Sequence, residues 1–242
     1  MTTILPDQTS TTAGDQHLPA IDVSGLCHTF GEGAASVRVL HDVDFQIQRG
    51  EFVVLMGPSG SGKTTVLTLV GCLRAVQTGS VELLGQELNG ASDEILMQMR
   101  RRLGFIFQAH NLHGSLTAIQ NVKMGLQIHG REANEGWRDT CGHVLKLVGL
   151  GDRLDFLPEK LSGGQKQRVA VARALVGNPD VIFADEPTAA LDKESSDQVV
   201  SMLRRLANER GTTVFMVTHD HRILSFADRI VKMEDGRVIG SD

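Results

Sequence analysis

Eight consecutive residues, Gly57-Pro58-Ser59-Gly60-Ser61-Gly62-Lys63-Thr64, have the G-x-x-x-x-G-K-T spacing of a loop that holds phosphate. The glycines let the backbone curl so that its N–H groups point inward at phosphate oxygens. A helix starting near Lys63 adds partial positive charge at the same place. In such a loop Lys63 reaches the outer phosphates and the Thr64 hydroxyl ligates Mg²⁺, and Thr65 extends the nucleotide-binding set. The plain alternative is a Gly/Ser turn that happens to precede a lysine. Against it stand the apolar run Phe52-Val53-Val54-Leu55-Met56 before the loop and the helical pattern after it. That strand–loop–helix setting is what the motif requires, so the sequence predicts a nucleotide site.

Three other polar segments share the same kind of position. Leu103-Gly104-Phe105-Ile106-Phe107 leads to Gln108, Val181-Ile182-Phe183-Ala184 to Asp185-Glu186, and Val214-Phe215-Met216-Val217 to Thr218-His219. Short, wholly apolar runs fit parallel strands covered on both faces. In an open α/β sheet, ligands gather at the C-terminal ends of the strands. Gln108, Asp185, Glu186 and His219 are therefore expected to converge with the P-loop on one phosphate site.

Other elements must frame these strands. Ile21 to Ile47 reads as two strands broken at Gly31-Glu32-Gly33, with Val39, Val43, Phe45 and Ile47 alternating. Val81-Glu82-Leu83-Leu84 and Gln86-Glu87-Leu88 hinge at Gly85, and together these segments predict a small antiparallel sheet beside the nucleotide core. Asp93 to Arg102 reads as a helix. Within 109–160, Thr117 and Gln120 have capping-box spacing, followed by Ile119, Val122 and Leu126 at helical intervals. Trp137, Cys141, Val144, Leu145 and Val148 give a second amphipathic helix stopping at Gly149. This inserted helical subdomain has spare apolar surface that serves either as core or as a docking face; the sequence leaves both open. A helix over 161–176 opens at Ser162-Gly163-Gly164, and Asp235-Gly236 signals a final hairpin.

Composition sets the outer bounds. The 242 residues, 41% hydrophobic and 22% charged, suffice for one domain with subdomains. A net charge of −5 argues against a mainly electrostatic nucleic-acid binder. Cys27, Cys72 and Cys141 lack any C-x-x-C and are expected as reduced thiols, Cys72 as core; the nine histidines show no metal-ligand spacing. No apolar run approaches the roughly 20 residues that span a bilayer. Residues 1–20 lack the basic and apolar regions of a signal peptide and are expected as a flexible extension, with the nucleotide-binding unit at 21–242. No regulatory domain is expected after the last hairpin.

Once Leu161-Ser162-Gly163-Gly164-Gln165 is set beside the P-loop, the chain resembles the ATP-binding subunits of ABC transporters over residues 21–240. L-S-G-G-Q is that family's signature. Val181 to Glu186 resembles its Walker B strand with the trailing glutamate, Ala190-Leu191-Asp192 its D-loop, Gln108 its Q-loop and His219 its switch histidine. Phe30 falls where the family stacks an aromatic on adenine, although an aromatic at a strand end is also ordinary core. The resemblance implies an α/β P-loop NTPase core of ABC-ATPase type with an antiparallel β subdomain and an inserted helical subdomain. It implies ATP and Mg²⁺ as ligands. Thr64, Gln108 and Asp185 would surround the metal, Glu186 would orient or deprotonate water, and His219 would contact the γ-phosphate. Ser162, Gly163, Gly164 and Gln165 would face the partner's ATP in a head-to-tail homodimer, with Asp192 at the seam.

Finer strings resemble the lipoprotein-releasing and macrolide-exporting group, and by eye the DevA-type ATPases of heterocyst glycolipid exporters. They are Gln108-Ala109-His110-Asn111-Leu112, Leu116-Thr117-Ala118, Gln120-Asn121-Val122 and Glu186-Pro187-Thr188-Ala189-Ala190-Leu191-Asp192-Lys193. That likeness implies an integral-membrane permease partner, with a membrane-fusion protein and an outer-membrane channel acting through it. It also implies a peripheral position on the cytoplasmic face of the inner membrane. A non-transport ABC ATPase of cell division or cofactor assembly fits the same length. A P-loop kinase has no use for L-S-G-G-Q.

Overall fold

The computed structural model describes residues 18–128, 136–189 and 191–241. Nearly all of the expected N-terminal extension, and Ala190 of the D-loop string, lie outside them.

The strands sort into two sheets. The smaller is antiparallel, in the order β2 (Val37–Ile47), β1 (Ile21–Phe30), β4 (Thr78–Leu83) and β5 (Gln86–Glu87). The larger runs β10 (Arg237–Ser241), β9 (Arg229–Glu234), β3 (Phe52–Met56), β8 (Thr213–Thr218), β7 (Val181–Asp185) and β6 (Leu103–Ile106). All neighbours in it are parallel except the closing hairpin β9–β10. Asp235 and Gly236 turn that hairpin with φ of +43° and +74°, as the D-G signal requires.

The apolar runs are continuous because both faces of the large sheet are covered. Val53, Leu55, Phe183, Phe215 and Val217 pack with α1 (Lys63–Val70) and the small sheet. Their alternates Phe52, Val54, Ile182, Ala184, Val214 and Met216 pack with α3 (Ala118–Ile128), α4 (Trp137–Leu147), α5 (Gly163–Leu175) and α6 (Lys193–Arg210). The apolar faces of α3 and α4, including Ile119, Val122, Leu126, Cys141 and Leu145, are buried in that same core. The three cysteines are buried and free. Among the described residues no helix is long and apolar enough to cross a membrane.

Local chemistry moves several expected boundaries. The alternation in β2 holds for Val43, Phe45 and Ile47, but Leu40 is buried rather than Val39. Asp42, at φ +48°, and a register shift between β1 and β2 change the phase there. The helix expected to reach Arg102 is α2 (Asp93–Arg100). The Arg102 N–H bonds back to the Met99 carbonyl at 2.8 Å, a tightened turn that delivers the chain into β6. The helix expected from 161 begins at Gly163, because Ser162 adopts an extended conformation and caps it. The Thr117–Gln120 box opens α3 as expected, with Thr117 N–H donating to Gln120 Oε1 (2.9 Å) and Gln120 N–H to Thr117 Oγ1 (3.4 Å).

Candidate active site

Strand β3 ends in the P-loop, and the loop's shape depends on its glycines. Gly60 and Gly62 take φ of +83° and +98°, conformations that side-chain-bearing residues resist. A Cβ on Gly57 would lie 2.0 Å from the Met233 carbonyl oxygen, so β9 presses directly against the loop. The closing hairpin fixes it further: Gly236 N–H donates to the Ser61 carbonyl (3.1 Å) and His41 N–H to the Gly236 carbonyl (2.9 Å). Gly62 caps α1 without offering a side-chain acceptor, so no side chain covers the helix N-terminus. Lys63, 7% exposed, folds back and donates to the carbonyls of Gly57 (2.8 Å) and Pro58 (2.7 Å).

The ends of β7 and β8 complete the opposite wall. The Thr64 hydroxyl donates to Asp185 Oδ1 at 3.2 Å. Glu186 sits at φ +46°, a left-handed conformation costing about 1–3 kcal/mol in a non-glycine residue. Its own N–H is held by the Val217 carbonyl at 2.9 Å. Its carboxylate accepts from His219 Nδ1 (2.7 Å) and from the Thr218 hydroxyl (3.2 Å). Both oxygens are thus pinned, and the strain aims the group into the pocket. Most of the P-loop, from Pro58 to Thr64 without Ser61, lines one cavity of about 660 Å³ together with Thr65, Gln108, Glu186, His219 and Val39. Segments from four different strand ends therefore do meet.

The electrostatics fit ATP and Mg²⁺. Burial pushes the Lys63 ammonium below the usual lysine range, against the pull of Glu186 and Asp185. Burial also raises Asp185, and the nearby Glu186 adds to this, while the Thr64 hydrogen bond and Lys63 oppose it. Each charge lacks enough opposite charge, which an anionic phosphate and a divalent cation would supply. Ser61 Oγ is buried without a hydrogen-bond partner at the same loop.

Not every expected residue joins this pocket. Ser162 and Gly163 are exposed at the start of α5, away from the pocket lining. They form a reciprocal capping box, with Gln165 N–H donating to Ser162 Oγ (3.2 Å) and Ser162 N–H to Gln165 Oε1 (2.9 Å). Asp192 caps α6 through Ser195 N–H and Oγ, each at 2.9 Å. A Cβ on Gly164 would lie 2.8 Å from Ser195 Oγ, so the signature and the D-loop side touch. Phe30 ends β1, half-buried and outside the phosphate cavity. Sequence reasoning passed over Thr218 and Arg173. Thr218 is signalled only as a hydroxyl ending an apolar strand. Arg173 donates to the carbonyls of His110 (2.8 Å) and Asn111 (2.6 Å), fixing the loop after Gln108 onto α5, and no sequence pattern marks such a contact.

Residues 40–189 match the family described as ABC transporter. The chain is 43% identical over 223 residues to the macrolide export ATP-binding/permease protein MacB of Shewanella sp. (strain W3-18-1), covering 92% of this chain and 34% of that protein. It thus spans about a third of the length of the macrolide-export relatives it matches. It is 41% identical over 220 residues to the uncharacterized ABC transporter ATP-binding protein MJ1508 of Methanocaldococcus jannaschii, covering 90% of this chain and 97% of that one. The dimeric, post-hydrolysis structure of the ATP-binding cassette MJ0796 bound to ADP and Pi superposes with a TM-score of 0.86 at 39% identity, over 92% of this chain and 97% of that one. With the family matched through the site and the fold shared along nearly all of a solved cassette, this chain belongs to the ABC transporter family, as an ATP-binding cassette that hydrolyses ATP with Mg²⁺.

Proposed function

We propose that the chain is the motor of an export machine, working as a head-to-tail pair of copies on a membrane permease. The observation that carries the partner is a groove of about 730 Å³ beside the Gln108 loop, bounded by α2, β6 and α3. Leu73, Met97 and Ile128 line it at 42%, 45% and 58% exposure. Large apolar side chains left open along one groove mark a protein-binding surface, and a cytoplasmic helix of the permease is the occupant. The export direction rests on likeness to MacB, whose name describes macrolide export. By the finer resemblance the machine is tripartite, carrying a glycolipid, another lipid or a drug. Its membrane-fusion protein and outer-membrane channel reach this chain through the permease, at the cytoplasmic face.

In the cycle, the P-loop amides and Lys63 bind the phosphates, and Phe30 receives the base. Thr64, Asp185 and Gln108 would hold Mg²⁺, which when bound would supply positive charge against the phosphates. Glu186 takes the proton of the attacking water, and His219, already bonded to Glu186, contacts the γ-phosphate. Ser162 to Gln165 of the second copy close the site, with Asp192 at the seam.

A Met97→Glu/Ile128→Glu variant should bind ATP normally but lose co-purification with an integral-membrane partner. Retained co-purification would remove the groove from the reading. A wild-type chain recovered from membranes with no integral partner would remove transport itself. For the dimer, Ser162→Arg and Lys63→Ala chains, each inactive, should recover activity on mixing. A mixture as dead as its parts overturns the head-to-tail pairing.

A further inference from the structure

Phe30 does not stand alone at the end of β1. The Arg74 guanidinium lies over its ring, 4.8 Å from the centroid, and the His28 ring meets it edge-on at 4.7 Å. Arg74 belongs to the turn that leaves α1, the helix that starts at the P-loop. That turn is anchored: the N–H groups of Leu73 and Arg74 donate to the Thr68 carbonyl at 2.9 and 3.1 Å, and Arg100 donates to the Cys72 carbonyl at 2.9 Å. Three residues on, Gln77 pairs with both backbone groups of Thr29, accepting from its N–H (2.8 Å) and donating to its carbonyl (3.1 Å). The 74–77 segment therefore grips the end of β1 at two points, one on the backbone beside Phe30 and one on its ring.

The sides of the strand give this grip a direction. In the small sheet β1 lies between β2 and β4. Val39 of β2 lines the phosphate cavity, whereas Arg74 and Gln77 come from the β4 edge and do not line it. The guanidinium thus comes to the ring from the β4 side of the strand, opposite the side on which Val39 lies. His28, 5% exposed and beneath the ring, leaves Phe30 little room to tilt.

We infer that Arg74 is a positioning residue for nucleotide binding, holding the Phe30 ring from behind so that its other face is preset to receive the base. The arrangement is a three-layer stack of guanidinium, phenyl ring and adenine. An aromatic fixed in advance loses less freedom on binding, so the gain appears as affinity. Because α1 carries both Lys63 and the turn before Arg74, the spacing between the phosphate and base subsites is set by one rigid element.

This inference rests on Phe30 as the base-stacking residue, and the test separates the two. Equilibrium binding of ADP and of inorganic tripolyphosphate is measured for the full chain and for Phe30→Ala, Arg74→Ala, Arg74→Lys and the Phe30→Ala/Arg74→Ala double variant. Phe30→Ala should weaken ADP roughly tenfold, as loss of a base–aromatic stack does. Arg74→Ala should weaken it about threefold, with Arg74→Lys between it and the wild type. Tripolyphosphate affinity should not change, and Arg74→Ala should add nothing once Phe30 is gone. Melting temperatures check that each variant is folded. An unchanged ADP affinity in Arg74→Ala beside a clear loss in Phe30→Ala overturns the positioning role alone. So does an equal loss for ADP and tripolyphosphate, which would make Arg74 a simple source of charge. Tighter ADP binding in Arg74→Ala overturns it too, by making the guanidinium a competitor for the base. A Phe30→Ala variant that binds ADP normally removes the stacking residue and this inference with it.

Discussion

Two helix N-termini in this chain carry glycine-rich motifs, and they are built in opposite ways. At α1 the cap is Gly62, which supplies no side-chain acceptor, and a buried Ser61 hydroxyl beside it is unpartnered. At α5 the cap is Ser162, whose hydroxyl and backbone are both satisfied by Gln165. The surroundings differ as well. Gly57 is pressed against the backbone of β9, whereas Gly164 abuts the rotatable hydroxyl of Ser195. The first site is tightly packed, and its Ser61 hydroxyl and helix N-terminus have no side-chain partner in the chain. The second is self-sufficient in one chain and exposed, which suits its proposed role of facing a second copy. Preorganised dipoles catalyse because they cost no reorganisation when charge develops. Here that applies to the P-loop side from the outset.

The sharpest way to test the contrast is through the catalytic wall. Glu186→Gln should lower ATP turnover at least about a hundredfold, the scale of a lost general base, while retaining ATP binding. In size-exclusion chromatography with ATP it should run as a dimer. Normal turnover would place the base elsewhere. Next in size is the glycine comparison. Gly57→Ala forces a backbone clash worth roughly 3 kcal/mol, which lowers the melting temperature by on the order of 5–10 °C. Gly164→Ala should cost visibly less, because Ser195 can rotate away for the loss of one exposed hydrogen bond to Asp192 rather than a shift of backbone. Equal shifts in calorimetry would mean that the two loops are equally constrained.

The smallest effect concerns Asp192, on the signature side. Bonds from Ser195 N–H and its hydroxyl hold this carboxyl below the usual 3.8. A depressed carboxyl stabilises the fold above its unfolded value, and that contribution is lost as pH falls through the folded value. Asp192→Asn should therefore melt slightly below the wild type at pH 6, and the difference should shrink and vanish as pH falls through the folded value. A gap that persists in acid would mean that the charge is not what matters.

Much of this was legible in the chain. The P-loop announces itself because phosphate binding needs glycines and a lysine at fixed spacing. The strands of the large sheet show as continuous apolar runs because both faces are buried. The Thr117–Gln120 box is local, so its chemistry is complete within four residues. Less legible were the phase change at Asp42, which depends on a positive φ, and the end of α2, which depends on a tightened turn. The start of α5 moved to Gly163 because Ser162 caps the helix instead of joining it.

The sequence alone determined which groups could do chemistry here, since residue type and spacing along the chain carry that information. Tertiary structure decided which of them meet. Met233 closing on Gly57, Thr218 and His219 sharing the Glu186 carboxylate, Arg173 fixing the loop after Gln108, and Arg74 covering Phe30 all join segments far apart in the chain. Such contacts leave no periodicity to read, because they follow from how the sheets and helices of the described residues pack rather than from the order of residues within any one of them.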